Sequence, residues 1–403
     1  MSVLASTRRL VPMLGRDPHE PGRAATPLEL LFDLAFVAAF GIAGGLAAHA
    51  FAAGHVGAAL SGFAFAVFAI TWAWINFTWF ASAFDTDDWW YRLTTMLQMT
   101  GVVVLALGLS DVFHSLEEGH YLDNRVMVAG YVVMRVAMLV QWVRLALQNP
   151  QLRRTALTYA GCILLAQLGW VALAIAHLEL LPTALHAGAL YAVELGGPLV
   201  AERGTPTPWH PHHIAERYGL LAIITLGEGV LGTIAAVQPV IERQGWSVDA
   251  IVIVGAGTVL TFGMWWLYFA APFGEMLHRR PRSTFLFGYG HMLVFGAIAA
   301  VGAGLHVAAY VIEGESAVGY TGAVAVTAVP VAVFLIIHFA IAAALSGGVR
   351  PLDAVLLVAA LAVLALGVAV VAGGAAFIVG ILVITAAPWL VVLGTETLGR
   401  SRA

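Results

Sequence analysis

Twelve separate stretches of this chain are apolar over the length of a membrane-crossing helix, and few folds tolerate that pattern. A helix needs about 20 mainly apolar residues to cross the bilayer hydrocarbon, where every backbone N–H and C=O must be satisfied within the segment. The stretches are 28–48, 57–83, 93–111, 126–147, 155–176, 181–201, 214–237, 248–272, 284–312, 318–345, 353–372 and 374–396. The last two meet at Gly373-Gly374 and could be read as one long segment. The short alternating segments that build a membrane β-barrel are missing. Composition points the same way: 61% of the 403 residues are hydrophobic and 10% are charged, against roughly 25% charged in a soluble domain. The fold class is therefore an all-α polytopic membrane bundle of about 12 transmembrane helices.

Arginine sets the orientation, since the basic residues are all arginine and the excess marks the cytoplasmic side. With the N-terminus inside, Arg92, Arg144, Arg153, Arg154, Arg203, Arg279, Arg280, Arg282 and Arg350 fall in cytoplasmic loops. Arg400 and Arg402 fall in a cytoplasmic C-terminal tail. Only Arg125 and Arg243 fall outside, beside several acids. The first 27 residues hold Arg8, Arg9, Arg16 and Arg23 without a long apolar run, so they read as a cytoplasmic tail and not as a cleavable signal.

The two halves resemble each other. Glu29-Leu30-Leu31-Phe32 opens the first helix and Glu216-Arg217-Tyr218-Gly219 the seventh; at the same offset Gly45 meets Gly232 and Ala48 meets Ala235. The organisation expected is a tail (1–27), a first six-helix repeat (28–201), a cytoplasmic linker (202–213), a second six-helix repeat (214–396) and a tail (397–403). Parallel repeats of this kind place sites between the halves.

Ionisable groups at membrane depth are the candidate site residues, because each is costly there without a function or a partner. Glu29 completes a capping box with Thr26 at N-cap and Pro27 at N1. Asp33 lies one turn deeper, about 6 Å on, where capping cannot explain it. Glu216 is the repeat mate of Glu29, and His212 and His213 precede it at a spacing that would suit a metal, though interfacial histidines are the plainer reading. Glu228 lies about 18 Å beyond Glu216, flanked by Gly227 and Gly229, with Arg135 as its natural counter-ion. His291 sits two turns into the ninth span and titrates near neutral pH or simply packs. Glu194, Asn76 and Gln98 suit interhelical hydrogen bonds; His306, His338 and Gln167 read as structural. Trp72, Trp74, Trp79, Trp89, Trp90, Trp265 and Trp266 fit an interfacial belt or, alternatively, a stacking wall. Asp85, Asp87 and Asp88 read as a solvated turn, with Asp87 or Asp88 capping the next helix.

Other classes find little support. The net charge of -4 gives no case for nucleic acid. No nucleotide-binding loop, HExxH, GxSxG or CxxC is present, and the single Cys162 makes neither a disulfide nor a metal site. No cofactor is implied. The expected partners are membrane lipid, an unknown small molecule or ion, and a second copy in a homo-oligomer.

Four stretches resemble the bacterial low temperature requirement A family. They are Pro27-Leu28-Glu29-Leu30-Leu31-Phe32-Asp33-Leu34-Ala35-Phe36-Val37; Asn76-Phe77-Thr78-Trp79-Phe80 with Phe84-Asp85-Thr86-Asp87-Asp88; Trp209 through Leu220 with Leu226-Gly227-Glu228; and Gly288-Tyr289-Gly290-His291. Residues 318–403 show no comparable motif and read as apolar scaffold. The family name implies a link to growth in the cold and a bacterial inner-membrane location, and leaves the activity undefined.

The leading expectation is a proton-linked secondary transporter. It would use Glu29, Asp33, Arg135, Glu216, Glu228 and His291, with the four carboxylates gathered between the repeats. An ion channel is the second reading: Phe32-Asp33 loosely resembles the Phe-Ser-Asp signature of endolysosomal potassium channels but lacks the serine. A membrane scaffold or sensor tied to cold growth is the third. For an intramembrane enzyme, His291 and Glu228 offer acid–base groups, but nothing fixes a substrate.

Overall fold

The computed structural model describes residues 10–398, apart from the side chains at 244 and 249. Arg8, Arg9, Arg400 and Arg402 lie outside the described residues. Among those residues the regular structure is helical: α1 (Pro27–Ala52), α2 (Val56–Phe84), α3 (Trp89–Leu107), α4 (Leu109–Glu118), α5 (Arg125–Gln148), α6 (Arg153–Ala176), α7 (Leu180–Ala201), α8 (Pro211–Gln244), α9 (Val248–Ala270), α10 (Phe273–Arg279), a 3-10 turn (Pro281–Ser283), α11 (Thr284–Glu313), α12 (Gly319–Ser346), α13 (Pro351–Ala372) and α14 (Phe377–Leu398). An isolated bridge, Tyr121 to Glu179, stands outside any sheet.

Among the described residues, twelve helical stretches are long and apolar enough to cross a membrane, as the hydropathy predicts. Three differ in detail from the sequence reading. The third span runs Trp89–Glu118 and breaks at Gly108 between α3 and α4. The seventh is a 34-residue helix, longer than 214–237 suggests. The eighth ends at Ala270, and Pro272 starts the short α10. The final hairpin is two helices, parted where Gly374 takes a φ of +97°.

The chain divides into two compact units, Met1–Ile42 with Ala69–Ile214, and Ala43–Phe68 with Ala215–Ala403. The turn of the first hairpin, with the adjoining parts of α1 and α2, thus groups with the second unit. In the first unit α3 packs on α5, α5 on α6 and α6 on α7. Glycine permits the close approach of α3 to α5: a Cβ on Gly130 would press on the Leu105 backbone nitrogen, and one on Gly101 would lie 2.6 Å from the Gly130 carbonyl oxygen.

In the second unit α11, α12, α13 and α14 pack in sequence, and α14 also packs on α9. Small residues draw α8, α9 and α11 together there. Gly229 on α8 faces Thr261 on α9, and Gly257 on α9 faces Thr233 on α8, a reciprocal antiparallel crossing. Both threonines turn their hydroxyls back to their own helices, Thr233 donating to the Gly229 carbonyl and Thr261 to the Gly257 carbonyl. Van der Waals packing, not water exclusion, drives helix association in lipid, so such stripes do the work that large apolar side chains do in soluble cores.

Candidate functional site

The first unit holds a chain of buried acids that starts at the N-terminal end of α1. Thr26 forms the capping box expected for it. Its N–H and hydroxyl donate to Glu29 Oε2 at 2.8 and 3.0 Å, and the Glu29 N–H returns to Thr26 Oγ1 at 3.3 Å. Glu29 is also fully buried, with the His213 ring nitrogen Nε2 3.2 Å from its Oε1. His213 therefore pairs with a carboxylate. Among the described residues no group of three or more His, Cys, Asp or Glu side chains is arranged to hold a metal ion. His212 and Glu216, the other members of the metal spacing, are exposed.

One turn deeper, the fully buried Asp33 accepts a hydrogen bond from the Trp74 indole at 2.6 Å. Two residues earlier on α2, the Trp72 indole donates to Glu194 Oε2 at 2.6 Å. Arg135 donates to the same oxygen at 2.7 Å, and its guanidinium lies 4.9 Å from the centre of the Tyr131 ring. The partner of Arg135 is thus Glu194, not the Glu228 assigned to it from depth alone. Trp72 and Trp74, read from sequence as belt residues or a stacking wall, are buried hydrogen-bond donors to carboxylates. Trp89, Trp90, Trp265 and Trp266 are exposed as a belt requires.

At the other end of α2, the turn expected to be solvated is mostly sealed. Asp88 is buried and caps α3, accepting from the Tyr91 N–H at 2.8 Å. It also accepts from the Val11 N–H at 3.1 Å and from Arg144. Burial works against its charge, but those donors outweigh it and hold the carboxyl below the ordinary aspartate value. Asp85 is 7% exposed, and Arg23 and Arg16 approach it at 3.7 and 3.9 Å. Burial, then the charge of Glu29, pushes its pKa up to about 6. Only Asp87 stays in solvent, paired with Arg92 at 2.7 Å.

In the second unit, Glu228 sits near the midpoint of α8 at 4% exposure. Gly302 of α11 packs directly on it: a Cβ there would lie 2.5 Å from the Glu228 carbonyl oxygen. Among the described residues Glu228 has neither a hydrogen bond nor an ion pair, unlike Glu29, Asp33, Asp85, Asp88 and Glu194. His291 is fully buried in a box of Tyr218, Tyr268, Phe273, Phe287 and Phe295. Its Nδ1 faces the Phe287 carbonyl at 2.8 Å and must donate, so Nε2 accepts from the Tyr268 hydroxyl at 3.1 Å. Both ring nitrogens thus have partners inside the protein. Glu216 is exposed, whereas its neighbour Arg217 is fully buried, a position that the sequence reading passed over.

Fold and buried acids together define a twelve-span integral membrane protein of the bacterial cell membrane. Residues 24–388 match the bacterial low temperature requirement A protein family (LtrA), and the chain belongs to that family. The match extends well past 310, into the helices that the motif reading left as plain scaffold. The chain is also 26% identical over 306 residues to the uncharacterized protein RA0937 of Rhizobium meliloti (strain 1021), covering 71% of this chain and 69% of that one. No solved structure matches.

Proposed function

We propose that the protein is a proton-linked secondary transporter in which Glu228 is the coupling carboxyl. The observation that supports this reading is the isolation of Glu228: a buried acid at mid-helix depth with no hydrogen bond or counter-charge among the described residues. An ionised carboxylate alone in hydrocarbon is expensive, so its charge can change only together with whatever enters beside it. That linkage is the elementary step of coupling. The glycine and threonine contacts of α8, α9 and α11 keep bulky side chains away from its backbone. The arginine bias argues for cytoplasmic termini, and the likeness of the halves argues for parallel repeats.

A second reading has its own support. The Arg135–Glu194–Trp72 centre is paired as a packing ion pair would be. That fits a scaffold or sensor role, or a rigid half against which a transporter moves. The test is purified protein in proteoliposomes with an internal pH dye and an imposed pH gradient, challenged with a panel of inorganic cations, amino acids and sugars. Transport predicts solute-dependent proton movement for at least one class. Proton movement that no solute alters would sink the transporter reading, and single-channel currents would replace it with the channel.

A further inference from the structure

The chain before α1 is laid across the ends of the first-unit helices and tied down along its length. The Met13 N–H donates to Gln148 Oε1 at 2.8 Å and the Arg16 N–H to the Ala83 carbonyl at 2.8 Å. Arg144 donates to the Val11 carbonyl at 2.7 Å and Asn149 to the Leu14 carbonyl at 3.0 Å. Met13 is buried, and Gly15, at a φ of +93°, turns the chain against Pro208 and Phe84. A residue with a Cβ is strained in that left-handed conformation.

Under this strap two carboxylates compete for one buried cation. Arg23 stands 3.7 Å from Asp85 and 4.0 Å from Glu29, too far to hydrogen-bond either, and its Nε and one terminal nitrogen are buried without a hydrogen-bond partner. Arg16 is committed elsewhere, donating to Glu20 at 2.7 to 3.1 Å, and reaches Asp85 only at 3.9 Å. Asp85 takes one backbone N–H, from Asp87, at 2.8 Å. The charged groups around Asp85 are therefore Arg16 and Arg23 from the strap, Glu29 from α1 with His213 behind it, Asp87 from its own turn, and Arg92 of α3, which is paired with Asp87.

We infer that Asp85 is a proton-binding site at the strap end of the spans, and that the proton it binds holds the strap closed. Two like charges sharing a sealed pocket cannot both ionise cheaply. A proton on Asp85 removes that repulsion and the cost of burying its charge, and both outweigh the pull of Arg23 and Arg16, which stand too far off to hydrogen-bond the carboxylate. Lifting the strap returns the carboxyl to water, where ionisation is free, so alkaline pH favours the open strap and acid pH the closed one. The raised Asp85 value places the change near pH 6. Because the upward shift spans about two pH units, full exposure would shift the opening equilibrium by up to about 100-fold. This site lies within the first unit and does not depend on Glu228 or on transport.

The experiment is amide hydrogen exchange at Met13 and Arg16 in detergent-solubilised protein between pH 5 and 8, corrected for intrinsic exchange. Val11 is left out because its acceptor, Asp88, itself titrates. Wild-type protein should lose protection at these two amides by up to about tenfold between pH 5 and 8, most of it by the time pH has passed about 6. Asp85→Asn should keep them protected across the range. Arg23→Gln removes the shared cation and should move the midpoint to higher pH; it serves if Asp85→Asn does not fold. Wild-type protection independent of pH, an unaltered profile in Asp85→Asn, or an unmoved midpoint in Arg23→Gln would each overturn the inference.

Discussion

Truncating Glu194 should be among the most damaging single changes in the first unit. One of its oxygens, Oε2, accepts from both Trp72 and Arg135, at 2.6 and 2.7 Å, and all three side chains are buried. Glu194→Leu leaves a guanidinium in the protein interior without its counter-charge, held by a 3.4 Å contact to the Tyr131 hydroxyl and by the Tyr131 ring. Breaking a buried pair from one side typically costs about 3–5 kcal/mol, and the orphaned indole N–H adds about 1–3 kcal/mol. Replacing both partners behaves differently, because an apolar pair of similar volume often restores most of the loss. The prediction is therefore a large penalty for Glu194→Leu and a much smaller one for Glu194→Leu with Arg135→Met. Unfolding in mixed detergent micelles titrated with SDS, followed by tryptophan fluorescence, measures both. A single-variant penalty under about 1 kcal/mol, or a double-variant penalty equal to the sum of the singles, would refute the pairing argument.

Three other outcomes follow from the same geometry. Gly302→Ala should destabilise the protein by about 1–3 kcal/mol, since the new methyl would press on the Glu228 backbone; the same unfolding assay reads it. Trp74→Phe leaves a smaller aromatic ring, strips Asp33 of its indole donor and opens a cavity at a fully buried site, at a cost of at least about 1.5–3 kcal/mol, whereas the exposed Trp266→Phe should cost little. Asp85 has a folded pKa near 6, raised from 3.8, so the stability it contributes is fully present below about pH 4 and is lost as pH rises through 6. The slope should amount to about 3 kcal/mol at most and should vanish in Asp85→Asn.

What the sequence made legible was what depends on neighbours in sequence. Hydropathy over a span length located the membrane helices, and the Thr26–Glu29 spacing announced a capping box that the structure contains. Pairings across the bundle were hidden. Arg135 has many acids at a similar depth, and only the folded structure, which brings it to 2.7 Å from Glu194 of α7, selects that partner over Glu228. Trp72 and Trp74 carry the composition of a belt, and nothing local says that their indoles meet carboxylates. Asp85 looked solvated because the segment that covers it has no apolar period to reveal that it folds back. Matching Glu216 to Glu29 by offset did not carry over to burial, since one is exposed and the other sealed.

The central claim rests on Glu228, and Glu228→Gln tests it most directly. The amide keeps the size of the side chain and does not ionise, so it cannot carry a coupling proton. In proteoliposomes carrying a solute that moves with protons in the wild-type protein, the account predicts that Glu228→Gln abolishes solute-dependent proton movement while its unfolding profile in detergent stays within about 1 kcal/mol of wild type. Undiminished proton-coupled uptake in a folded Glu228→Gln protein would contradict it.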